Sequence, residues 1–181
     1  MRIVSGTLKA RRITPPNNLP VRPTTDMAKE ALFNILHNKY YIEDLSVLDL
    51  FSGTGNISFE FCSRESESVI SVEQNNKCVK FINETKEKFE LDNLQIIQSD
   101  CFNYLKSCND KFHIIFADPP YDMPNYEEVV NLVFSKDLLH DDGVLIMEHS
   151  KTTNLSLHQF FDEKRRYGGV NFSFFKKKTA N

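Results

Sequence analysis

The chain has 181 residues, 40% of them apolar, and a formal net charge of −3, which suits one domain with one sizeable core and leaves little room for a second. No stretch approaches the roughly 20 apolar residues of a membrane span, and Met1 is followed by Arg2, Lys9, Arg11 and Arg12 rather than by the apolar segment of a secretion signal, so a soluble, cytoplasmic protein is expected. Four cysteines without a CxxC pair and five scattered histidines exclude a zinc knuckle and a disulfide framework, and no metal site is expected.

Residues 1–14 read as a short β-hairpin with Ser5-Gly6 near its bend. Pro15, Pro16, Pro20 and Pro23 make the next stretch an extended connector, since proline denies it a helix. A helix capped by Thr24 or Thr25 runs to about Lys39, with Ala28, Ala31, Leu32, Ile35 and Leu36 as its apolar stripe. From there strands and helices alternate. Strands are predicted at 46–51, 68–73, 94–98, 112–117 and 144–148. Helices are predicted from the Gly-bearing turn through Cys62, then at 76–90, 102–107, 126–134 and 155–161. Such alternation implies a mostly parallel sheet covered by helices on both faces. Gly168-Gly169 between 165–167 and 170–175 is a hairpin signal, so one antiparallel strand should close the sheet.

Charge is not evenly spread. Residues 1–30 hold six basic side chains against Asp26 and Glu30, and residues 162–181 hold six against Asp162 and Glu163. Basic ends on an acidic body suit local contact with a polyanion. Solvated ends explain the pattern equally well.

Two constellations carry chemistry. The first runs from Asp49 through Phe51, Gly53 and Gly55, at the end of a strand and the start of a helix, where glycine lets backbone approach a ligand. Ser58 stands where a dinucleotide fingerprint would have its third glycine. An acid four residues before the first glycine suits a cofactor with positive charge and suits a pyrophosphate poorly. Glu73 ends the next strand, twenty residues after Gly53, where an acid can accept from ribose hydroxyls. Asp100 follows the third strand and is placed to meet an adenine amino group.

The second constellation is Asp118-Pro119-Pro120-Tyr121, after the fourth strand. The exocyclic amine of a base is a weak nucleophile, because its lone pair is delocalised into the ring. Two acceptors, one for each N–H, make the nitrogen more tetrahedral and aim that lone pair. Asp118 supplies one, and a carbonyl of the rigid Pro-Pro backbone, that of Pro119, supplies the other. Tyr121 offers a ring on which a flipped base can stack.

The tetrapeptide resembles the (D/N)PP(Y/F) motif of amino methyltransferases. With MRIVSGTLKARRI at the start, RPTTDMAKEALFNIL from Arg22, VLDLFSGTGNISFE from Val47 and RRYG from Arg165, the chain resembles, over nearly its whole length, the bacterial 16S rRNA guanine-N2 methyltransferase family of RsmD type. That resemblance implies a class I S-adenosylmethionine-dependent methyltransferase fold: an α/β, Rossmann-like, seven-stranded and mostly parallel sheet with one antiparallel strand. It implies an RNA-contacting hairpin and connector over residues 1–23 and a methyltransferase domain over 24–181. It further implies methylation of one guanine N2 in small-subunit rRNA, in an assembled or nearly assembled subunit, with S-adenosylmethionine as cofactor; whether free rRNA suffices stays open, and a monomer is the default expectation. Asp49, Phe51, Gly53, Gly55, Glu73 and Asp100 fall to the cofactor, and Asp118 to Tyr121 to catalysis. Arg2, Lys9, Arg11, Arg12, Arg22 and Lys29 are the expected phosphate contacts. The chain departs from the family at Lys29, where arginine is usual, at Ser58, where glycine is usual, and in SRESES from Ser63. The last two are expected to alter packing more than chemistry. A DNA N6-adenine methyltransferase, a nicotinamide-dependent oxidoreductase and a catalytically silent RNA-binding assembly factor are the competing readings.

Overall fold

A computed structural model describes residues 1–17, 19 and 25–178. Arg22, Thr24 and most of the proline connector lie outside them. Seven strands form one sheet: β1 (Ser46–Leu50), β2 (Ser68–Glu73), β3 (Leu94–Gln98), β4 (Phe112–Ala117), β5 (Leu139–His149), β6 (Phe161–Tyr167) and β7 (Val170–Phe175). Five α-helices accompany them: α1 (Asp26–His37), α2 (Asn56–Ser63), α3 (Asn76–Phe89), α4 (Cys101–Ser107) and α5 (Tyr126–Ser135). The strand order is β3-β2-β1-β4-β5-β7-β6. β1 to β5 run parallel, and β7 is inserted antiparallel between β5 and β6. This is the class I methyltransferase arrangement that the alternation and the final hairpin imply.

The central strands are buried on both sides, so each face of the sheet seeds a core. Val47, Ile114, Phe116, Ile146 and Phe172 face one cluster, with Leu32, Phe33 and Phe61 of the covering helices. Leu48, Leu50, Ile115, Leu145 and Met147 face the other, with Val129, Val130 and Val133 of α5. Thr25 caps α1 by accepting from the Ala28 amide at 3.2 Å, which satisfies one of the amides a helix leaves open at its start.

The N-terminal hairpin forms, although its pairing is a single bridge between Arg2 and Arg12 rather than two regular strands. Its turn is fixed to α2 instead. Glu60 accepts from the amides of Val4 and Ser5 at 2.8 and 3.0 Å. The Ser63 hydroxyl donates to Ser5 O at 2.6 Å and accepts from the Leu8 amide at 3.0 Å.

One expected element does not form. The helix read over 155–161 is a pair of consecutive turns, closed by His158 N to Leu155 O and Phe161 N to His158 O, from which the chain enters β6. Asn154 Oδ1 takes the amide and hydroxyl of Ser156 at 3.1 and 2.8 Å, a local bond that competes with helical geometry. The apparent apolar stripe is also not buried, since Leu157 is 90% exposed. β5 and β6 are longer than read. The extra residues at the start of β5 span the register shift opposite Phe112 and Ile114, and those of β6 pair with β7 along an exposed edge.

Candidate active site

The strand order reverses direction between β1 and β4, and there, beyond the carboxyl ends of the strands, open α/β sheets bind ligands. A cavity of about 690 Å³ lies at this place, within the usual range for a small-molecule site. Asp49, Phe51, Gly53, Glu73, Asp100, Asp118, Pro119, Pro120 and Tyr121 all line it. Residues far apart in the chain thus share one space, because each lies at or just beyond the carboxyl end of a parallel strand of the same sheet.

Over β1 to β3 the lining is acidic and deeply set. Asp49 is 1% exposed, and its Oδ2 accepts from the amide and hydroxyl of Ser58 at 3.1 and 2.5 Å. Burial raises the Asp49 carboxyl to about 7, against the pull of those two hydrogen bonds. Ser58 therefore bears on the chemistry of the site, not on packing alone, because glycine at that position could offer only the amide. Phe51 turns the chain out of β1 with φ +60°, a left-handed backbone that costs a phenylalanine roughly 1 kcal/mol or more.

Glu73 holds the loop beneath it. Its Oε2 accepts from the Gly53 amide at 2.8 Å and its Oε1 from the Asn75 amide at 2.7 Å. Each oxygen retains a further lone pair for a hydroxyl donor. Asp100 caps α4 by accepting from the Asn103 amide at 3.1 Å. Gly55 does not line the cavity. It begins α2 at φ +74°, and a Cβ there would come within 2.9 Å of the Phe59 ring, so the cofactor role expected for it becomes one of shaping the loop.

Over β4, β5 and β7 the cavity is more open. Asp118 is half-buried and Tyr121 is 53% exposed. The turn between them is fixed through Pro120, whose carbonyl accepts from Tyr126 Oη at 3.1 Å and from the Met123 amide at 2.9 Å. Burial, with Asp118 nearby, pushes the Tyr126 hydroxyl up to about 12, so it stays protonated and donating. The same cavity draws further walls from elsewhere: Thr25 and Met27 at the start of α1, and Tyr167, Gly169 and Val170 around the last hairpin. Thr25 belongs to the RPTTD segment, Arg22 to Asp26, which the family resemblance sets beside the active site; Met27, Tyr167, Gly169, Val170 and Glu148 at the end of β5 were not placed there from the sequence. The rule that selected Asp118, an acid at the carboxyl end of a strand, also selects Glu148.

The lining has a consistent sign. Among the described residues it holds Asp49, Glu73, Asp100, Asp118 and Glu148 and no lysine, arginine or histidine. Ionised carboxylates only accept hydrogen bonds. A ligand rich in donors and bearing positive charge fits, as S-adenosylmethionine does with its ammonium, sulfonium, ribose hydroxyls and adenine amine. A dinucleotide pyrophosphate does not. Among the described residues no three His, Cys, Asp or Glu side chains are grouped to hold a metal.

The expected phosphate contacts divide. Arg2, Lys9, Arg11 and Arg12 are exposed on the hairpin, which reaches the cofactor loop where Thr54 Oγ1 donates to Met1 Sδ. Arg22 lies outside the described residues. Lys29 is a correction. It is fully buried, and its Nζ donates to Arg2 O at 2.6 Å and Asn56 Oδ1 at 2.8 Å and pairs with Glu60 at 3.2 Å. It cannot reach a phosphate. Glu60 also pairs with Arg64 at 3.0 Å, so one buried acid ties α1, α2 and the hairpin together. The four cysteines are free and buried. No described helix is long and apolar enough to cross a membrane.

The chain is similar to known proteins over nearly its whole length. The family model described as conserved hypothetical protein 95 matches residues 1–176. The ribosomal RNA small subunit methyltransferase D of Buchnera aphidicola subsp. Baizongia pistaciae is 30% identical over 154 residues, which is 85% of this chain and 78% of that one. The Escherichia coli K12 protein of the same name is 28% identical, over 82% of this chain and 74% of its own. Among solved structures, a hypothetical protein of Thermus thermophilus superposes with a TM-score of 0.86 at 22% identity, covering 98% of this chain and 99% of that one. An Escherichia coli protein described as "Putative methyltransferase yhhF" superposes with a TM-score of 0.84 at 24% identity, over 99% of each chain.

Proposed function

We propose, from the premise that the chain belongs to the conserved hypothetical protein 95 family of small-subunit rRNA methyltransferases, that it methylates the exocyclic N2 of a guanine in 16S rRNA. The observation that carries this reading is the Asp118-Pro119-Pro120-Tyr121 turn opening into the same cavity as the acids of β1 and β2. S-adenosylmethionine, when bound over the Gly53-Thr54 turn, supplies an electrophilic methyl group. Asp49 answers the cofactor's positive charge. Glu73 accepts from its ribose hydroxyls, and Asp100 meets its adenine amine.

The target amine is held between the Asp118 carboxylate and the Pro119 carbonyl. The Pro120 carbonyl is already engaged by Tyr126 and Met123, which is why the acceptor role falls to Pro119. With one N–H on each acceptor, the nitrogen's lone pair points toward the cofactor half of the cavity, and Asp118 or water takes the surplus proton. Tyr121 stacks on the flipped base, worth about 1–3 kcal/mol against a flipping cost of a few kcal/mol. Arg2, Lys9, Arg11 and Arg12 contact phosphates beside the target, and the protein acts as a cytoplasmic monomer on free rRNA or on the small subunit.

Transfer of labelled methyl from S-adenosylmethionine tests this, with small subunits from cells lacking the protein, free rRNA and genomic DNA offered in parallel. Label on guanine N2 of 16S rRNA is expected, reduced about 10²- to 10³-fold by Asp118→Ala. Label on DNA adenine would keep the chemistry and overturn the substrate. Cofactor binding with no transfer to any of the three would favour a silent RNA-binding factor.

A further inference from the structure

Helix α2 begins at a glycine, and that places an unusual demand on Asp49. A helix leaves its first amides open, and the side chain of the capping residue usually accepts from one of them. Gly55 has no side chain and makes no such bond. Asp49 takes over from the end of β1: its Oδ2 accepts from the amide of Ser58, three residues into the helix, at 3.1 Å. The Ser58 hydroxyl adds a second bond to the same oxygen at 2.5 Å. Ser58 is fully buried and does not line the cavity, whereas Asp49 does. Among the described residues Oδ1 of Asp49 has no hydrogen-bond partner. One oxygen is thus held by the helix, and the other is left for a ligand.

The surroundings oppose a charge at this place. Burial acts most strongly, and Asp118 after β4 and Glu73 on β2 add repulsion, so that the carboxyl rises to about 7 against both bonds from Ser58. From α2 the Cys62 thiol, itself pushed up to about 12 by burial, lies within electrostatic reach of Asp49 and of Lys86 on α3. Lys29 from α1 is engaged by Arg2 O, Asn56 and Glu60. We infer that Ser58 is a positioning residue that keeps Asp49 charged for S-adenosylmethionine, through a hydroxyl bond that glycine at this place could not make; this rests on the cofactor role given to Asp49 above. An ionised carboxylate accepts from an ammonium group and answers a sulfonium, while a neutral one sets its own proton where a donor must sit. Binding therefore selects the ionised form and, below about pH 7, expels the Asp49 proton. Affinity falls by up to roughly tenfold for each pH unit below that point. Without the Ser58 hydroxyl the charged form is less favoured, and the fall begins at higher pH.

Calorimetric titration of the full chain with S-adenosylmethionine, from about pH 6 to about pH 8.5, tests this. Ser58→Ala keeps the amide bond to Asp49 and removes only the hydroxyl. Its affinity is expected to lie about tenfold below the wild type's at about pH 6 and within about twofold of it at about pH 8.5. The cofactor's own amine titrates alike for every variant, so it cancels from that ratio. At about pH 7.5 the variant should also release more protons on binding than the wild type, counted from the heats in buffers of differing ionisation enthalpy. A gap that is constant with pH, or no gap, would overturn the inference and leave Ser58 a packing residue. Ser58→Gly also lacks the hydroxyl; it stands in for an alanine variant that does not fold and is held to the same result. In an Asp49→Asn background the change at Ser58 should leave the pH dependence untouched. A pH-dependent gap that persists there would assign the titration to another group and overturn the inference. Wild-type protein that binds no S-adenosylmethionine at any pH, or binds it as well after Asp49→Asn, would instead refute the cofactor role of Asp49 together with this refinement of it.

Discussion

The two halves of the cavity are built on opposite principles. Over β1 to β3 every acid is anchored: Asp49 by Ser58, Glu73 by the Gly53 and Asn75 amides, Asp100 by the cap of α4. Over β4, β5 and β7 the walls are Tyr121 and Met27, 53% and 63% exposed, on a loop and at a helix start. A small charged cofactor is best held by preorganised acceptors sheltered from water. A base on a polymer must swing in from outside, so its side of the cavity stays open and relies on stacking. If this division is right, damage to one half should spare the other.

The largest effect should come from beneath the cofactor half. Lys29→Met removes an ammonium that supports Asn56 and leaves Glu60 buried with only Arg64 and two amides. A loss of about 3 kcal/mol is expected, read by denaturant unfolding. S-adenosylmethionine affinity should fall in the surviving folded protein. An unchanged midpoint would show that the hairpin and α2 do not need this ion pair.

Asp49→Asn comes next and should trade binding for stability. Losing a charged acceptor is expected to weaken S-adenosylmethionine by about 10- to 150-fold, measured by calorimetry. The Asp49 carboxyl is raised from near 3.8 unfolded to about 7 folded, so its contribution to stability is full below about 4 and is lost as pH rises through 7. The asparagine variant avoids that loss. Its melting temperature should exceed the wild type's at pH 8 by roughly 2–4 °C for each kcal/mol regained, and the gap should close toward pH 4. A gap that is constant with pH would mean that Asp49 is not the group titrating.

Tyr121→Ala is the smallest change and the cleanest test of the open half. Loss of stacking worth about 1–3 kcal/mol should lower kcat/KM for RNA while S-adenosylmethionine affinity stays within twofold. A matched fall in cofactor affinity would break the division between the halves.

The elements that were legible in the sequence are those governed by local rules. The parallel alternation, Thr25 as a cap, the Gly168-Gly169 hairpin and the acids at strand ends depend on periodicity and on residues a few positions apart. The turns at 155–161 were misread because seven residues of apolar spacing cannot reveal that Leu157 faces water or that Asn154 captures Ser156. Lys29 looked like a phosphate ligand because its charge is visible in the chain and its burial is not.

By itself, then, the sequence determined the sheet, the Gly-bearing turn after β1 and the Asp118–Tyr121 turn after β4, since each is written in contiguous residues. Only the tertiary structure decided that Lys29 is interior, that Ser58 grips Asp49, that Met27 and Gly169 line the same cavity as Tyr121, and that Glu148 follows the β5 residue paired with Ala117. Those facts rest on register and on contacts between residues tens of positions apart. Burial and neighbourhood belong to the packed molecule, not to any one segment of its chain.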